Sequence, residues 1–151
     1  MFSKNVLAIA VLCGITSFAS AAGSWTQTST GKDDSDGFEA AITTEYVVKN
    51  SIKLIRGNYR TAFVKTTFTP PVPLGDGRSA ASTVSDVMVN CNDLSWGTAS
   101  QMIFDSDMVP LMTSVGDFDR TKQIWTLKDM KPLDPASTTY KTGQFICAVK
   151  M

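Results

Sequence analysis

Chemistry in this chain has to come from carboxylates, hydroxyls and cysteines, because there is no histidine anywhere in the sequence. That removes Ser-His and Cys-His catalysis together with most zinc sites. Paired carboxylates do occur, at Asp105 with Asp107 and at Asp117 with Asp119. Two converging acids are the minimum for glycoside hydrolysis. Both pairs lie among turn formers, where acids serve to cap local backbone, so the reading here is solvated turns. The acids of G-K-D-D-S-D-G (residues 31–37) suggest a calcium loop, but the spacing refuses it. With Gly37 as the sixth position of an EF-hand loop, the first and twelfth ligands would be Lys32 and Thr43. Neither phosphate-binding glycine motif is present, and Gly75-Asp76-Gly77 fits neither. No catalytic residue, no metal ligand and no cofactor are assigned.

Three cysteines remain. Cys13 lies in an N-terminal segment with Lys4 as a positive start, the apolar run V-L-A-I-A-V-L-C-G-I and small residues at Ala19-Ser20-Ala21-Ala22. Residues 1–22 therefore read as a secretory signal peptide, cleaved after Ala21 or after Ala22. Leu12 stands where a lipid-attachment cysteine needs a small neighbour, so Cys13 is ordinary signal content. The exported chain then carries Cys91 and Cys147, an even pair that reads as one disulfide. Closing so long a loop stabilises by roughly 4 kcal/mol in the chain-entropy account. The competing reading is two buried thiols.

Removing the signal takes away one lysine and no acid from a chain of zero net charge, which leaves about −1. Near-neutral charge without a basic run argues against a nucleic-acid partner. After the signal no apolar stretch reaches membrane-spanning length, so no integral membrane segment is expected. Residues 23–151 are long enough for one domain with its own core.

The elements that must position these groups are mostly strands. T-V-S-D-V-M-V-N-C (83–91) alternates with period two, Asn92-Asp93 supplies a turn, and Leu94, Trp96, Met102 and Phe104 resume the pattern with Gly97 as a bulge or bend. Upstream, 24–30 reads as a first edge strand and 40–49 as a second strand. Residues 52–55 and 59–69 form a hairpin about Gly57-Asn58. Residues 69–78, with three prolines, read as a long exposed loop that could serve recognition. A short strand at 111–115, a turn at 116–119 and a last edge strand at 121–129 follow. Trp25, Trp96 and Trp125 read as core or half-buried sheet residues. Ser137 or Thr138 can cap a helix reaching about Val149, with Tyr140, Gly143, Ile146 and Cys147 on one stripe. F-I-C-A-V also fits a buried strand at 144–149, and the residues alone leave the two level.

The order of landmarks resembles the surface-adhesin protein E family of small exported Gram-negative proteins. It rests on the Trp25 strand, the strand running into Asn90-Cys91, and above all W-T-L-K-D-M-K-P-L-D-P-A-S-T-T-Y-K-T-G-Q-F-I-C. The resemblance implies an α+β fold, a mainly antiparallel β-sheet with one C-terminal helix packed on it, and the helix cysteine bonded to the strand cysteine. It further implies adhesion to a protein partner, host extracellular matrix or serum protein, with a homodimer as the family's assembly. The chain departs from the family in lacking a lipid-attachment motif. The expected function is thus a non-catalytic exported binding protein at the periplasm or outer cell surface; the alternative is a periplasmic envelope-accessory protein without a host ligand.

Overall fold

The computed structural model describes residues 24–32, 41–119 and 126–151. The signal segment with Ala21 and Ala22, most of the 31–37 turn, and Trp125 lie outside the described residues.

Eight strands form one antiparallel sheet. β1 (Trp25–Lys32) pairs with β2 (Ile42–Val48), and a 3-10 turn at Lys49–Ser51 leads to β3 (Lys53–Arg56). β4 (Tyr59–Pro73), β5 (Ser79–Asn90) and β6 (Ser95–Phe104) make the centre. β2 and β3 lie end to end along one side of β4; β7 (Pro110–Val115) and β10 (Lys131–Pro132) do the same along the outer side of β6. β8 (Phe118–Asp119) and β9 (Thr126–Leu127) form a separate two-stranded ribbon. The helix α1 (Thr138–Ala148) packs chiefly over β1 and β2. Fold class is therefore as expected: antiparallel sheet, one C-terminal helix, and a disulfide.

The two hairpins follow from their turn residues. Gly57 has φ +59°, the left-handed conformation that a two-residue turn requires and that glycine adopts without a Cβ clash. Between β5 and β6 the chain turns through 91–94, with Leu94 at φ +53°. Asp93 accepts a hydrogen bond from the Ser95 amide at 2.9 Å, which holds its carboxyl below the usual range. Gly97 is not the bulge. It pairs in register with Met88, and the extra residue is Ala99, between the Asp86–Ser100 and Val87–Thr98 pairs. Gly97 instead permits close approach, since a Cβ there would lie 2.7 Å from Leu127 Cδ1.

The proline segment also differs from expectation. β4 continues through Pro73, with Val72 opposite Ala80 and Pro73 opposite Ser79, and only 74–78 form the connection. Pro70 and Pro71 fall in an irregular stretch between the Thr67 and Val72 pairings, beyond the last β2 partner at Thr69. Missing donors cost nothing there, because no ladder bond is due. The edge strand expected over 121–129 is reduced, within the described residues, to β9, which pairs with β8 outside the main sheet.

At the C-terminal end the helix reading holds over the strand one. Ser137 caps α1 by accepting from the Tyr140 amide at 3.2 Å. The buried side of α1 is Thr138, Thr142, Gly143 and Ile146, so two threonines replace Tyr140 and Cys147 in the expected stripe. Ile146 joins Val47, Ile52, Ala62, Val64, Val87 and Val89 in the apolar core, against which Trp96 packs. Trp25 is on the edge strand and 38% exposed, so it is not core.

Candidate functional site

An 11-residue helix is about 16 Å long, whereas β4 with 15 residues extends about 50 Å. The helix therefore covers only part of its sheet face. On the uncovered part lies a cleft of about 730 Å³, walled by the first turn of α1 and by the approach to it through Lys131, Leu133 and Asp134.

Strand pairing sets the cleft floor. Glu45 on β2 pairs with Thr66 on β4, Thr66 with Thr83 on β5, and Thr83 with Ile103 on β6. Directly paired residues point to the same side of a sheet. All four line the cleft, joined by Phe68, Trp96, Thr98 and Gln101. Among the described residues, the hydroxyls of Thr66, Thr83 and Thr98 and the amide of Gln101 have no hydrogen-bond partner. Thr83 is nonetheless only 6% exposed.

Glu45 is the residue that sequence reading missed. Along β2 the buried side is Thr43, Glu45 and Val47, while Ile42 on the opposite side is 46% exposed. Polar residues face inward because the helix docks through hydroxyls. Thr139 Oγ1 donates to Glu45 Oε1 at 2.8 Å, and Ser29 Oγ to Glu45 Oε2 at 3.5 Å. Thr142 Oγ1 lies 2.7 Å from Thr28 Oγ1 and 3.3 Å from Ser29 Oγ. Two consecutive β1 side chains can reach one helix residue because the β1–β2 register shifts between Gln27 and Ser29, leaving Thr28 as a bulge. The signal available in the sequence was the Ser/Thr density shared by β1, β2 and α1.

The residues singled out for chemistry are dispersed. Cys91 and Cys147 are bonded, with their Cα atoms 5.5 Å apart. Asp105 Oδ1 accepts from the amides of Asp107 at 2.9 Å and Val109 at 2.8 Å, a turn-capping role. Asp117 is paired with Lys128 Nζ at 2.6 Å on the exposed surface. Asp119 belongs to β8. Neither acid pair lines the cleft. Among the described residues no three His, Cys, Asp or Glu side chains group as a metal site would require. Likewise, no helix among them is long and apolar enough to cross a bilayer.

No family model and no curated protein matches the chain. Among solved structures it is similar to Haemophilus influenzae protein E, at 15% identity and a TM-score of 0.43, over 80% of this chain and 85% of that chain. A similarity that distant carries no argument about activity.

Proposed function

We propose that this protein is an exported, non-catalytic binding protein of the surface-adhesin protein E type, which recognises a protein partner such as a host matrix or serum protein. The observation that carries the reading is the open cleft. Its floor presents hydroxyls, an amide and aromatic rings, while the one carboxylate on that floor, Glu45, is engaged with the helix. Such a lining orients a ligand: of its three carboxylates, Glu45 is held by the helix, while Asp129 and Asp134 lie on the approach to the helix, away from the strands of the floor. The landmark order of the sequence and the signal segment support the exported, adhesin-like part.

The test is surface plasmon resonance of the mature chain over a panel of immobilised matrix and serum glycoproteins, alongside protease shaving of intact cells. Saturable binding with surface exposure is expected. A protected periplasmic pool that binds none of the panel would transfer the assignment to an envelope-accessory role.

A further inference from the structure

We infer that the cleft floor is a carbohydrate site that takes a neutral oligosaccharide, so that recognition of a glycoprotein partner runs through its glycan. This rests on the cleft being the recognition surface. The first argument is the state of the floor. Thr83 lines the open cleft with a hydroxyl that has no partner, whereas the enclosed hydroxyl without a partner, among the described residues, is that of Ser82, one position earlier and on the other side of β5. Beside Thr83 the partner-free groups of Thr66, Thr98 and Gln101 each donate and accept. Sugar hydroxyls do both as well, so this lattice matches a polyol group for group.

The second argument concerns the backbone. β4 pairs with β2 and β5, and β5 with β4 and β6, so the strands under the cleft have their ladder bonds satisfied on both sides. An extended peptide would need free strand amides to add to the sheet. Only side chains are on offer here. Trp96 adds an aromatic ring, whose electron-rich face suits the C–H edges of a pyranose. The third argument is charge. Glu45, Asp129 and Asp134 line the cleft against Lys131 alone, so sulfated or sialylated chains meet repulsion where neutral ones do not.

The probes are a galactose-terminated biantennary N-glycan, its sialylated form and a heparin oligosaccharide, each titrated calorimetrically into the full mature chain. The neutral glycan should bind best, and Thr83→Val and Gln101→Ala should each weaken it about threefold to tenfold, the worth of one neutral hydrogen bond. Thr83→Val preserves shape, and circular dichroism confirms that both variants fold. Binding of heparin in preference to the neutral glycan would overturn the inference. So would unchanged affinity in both folded variants. Retained binding to an enzymatically deglycosylated matrix protein, with no binding of free glycan, would overturn the glycan site and leave the binding function standing. Loss of both would remove both.

Discussion

Glu45 and Arg60 hold opposite ends of the same helix. Glu45, on β2, accepts from Thr139 in the first turn of α1; Arg60 Nη1, on β4, donates to the carbonyls of Ile146 at 2.8 Å and Val149 at 2.7 Å at its end. An anion at the N-terminus and a cation at the C-terminus are the arrangement that the helix dipole favours. α1 has no acid in its own first turn and no base in its last. The sheet thus provides the charges that the helix lacks.

Arg60→Met should destabilise the protein by about 1.5–3 kcal/mol, the range for hydrogen bonds to a charged group, because two terminal carbonyls lose their donor. Urea unfolding reads it. Arg60→Lys should recover only part of this, since a lysine cannot present the guanidinium geometry. Equal stability of wild type and Arg60→Met would show the cap to be idle.

Glu45→Gln keeps an oxygen for Thr139 and removes the charge, so its cost should sit at about 0.3–2 kcal/mol. Glu45→Ala should cost more, because the Thr139 hydroxyl then loses its acceptor as well. The comparison is made by thermal denaturation of the two variants side by side. If Gln proved as damaging as Ala, the charge rather than the hydrogen bond would carry the whole effect.

Cys91→Ala and Cys147→Ala should lower stability by similar amounts, about 2–5 kcal/mol each, and the double variant should cost no more than either single one. Denaturant titration of the three proteins settles it. Additive losses would mean that each sulfur acts by packing and that the bond contributes little.

Asp86 sits half-buried on β5, and burial pushes its carboxyl above the usual range, against an opposing pull from Lys53. A raised folded value means the native state holds the proton more tightly than the unfolded chain. Its contribution to stability is then complete below the unfolded carboxylate value of ~3.9 and is lost as pH rises through the folded value. Asp86→Asn should therefore be more stable than wild type at neutral pH, with the gap closing on acidification. Urea midpoints across the acid range test this, and a gap constant with pH would refute it.

Local chemistry was legible from residues alone. The Gly57-Asn58 and Asn92-Asp93 turns and the Ser137 cap each depend on near neighbours and stand where expected; the run before Cys91 is a strand as read, but Met88 is buried along with Val87 and Val89, so both of its faces are covered there. What could not be read was burial imposed from a distance. Nothing around Glu45 in β2 announces that a helix some ninety positions later will bring Thr139 to it. Hence the β2 alternation has its apolar Ile42 outside and its carboxylate inside. Pro70 and Pro71 misled for a related reason: a proline forbids a ladder bond only where a neighbour offers one, and neighbours are set by the whole sheet. The cleft itself follows from a mismatch in element lengths and from cross-strand register, which no single stretch contains.

The bonded cysteines lie 56 positions apart, and Cys147 belongs to the last element of the chain. Because synthesis runs from the N-terminus, the central hairpin is complete while Cys91 still lacks Cys147. For that interval the strands must find their registers without covalent help, and Cys91 is an open thiol whose thiolate can attack the disulfide of an oxidising carrier, forming a mixed disulfide and releasing the carrier's other sulfur as a thiolate. Docking of the final helix then brings the resolving thiol. The cross-link works as a closing latch, whose formation reports that the last eleven-residue helix has reached its seat.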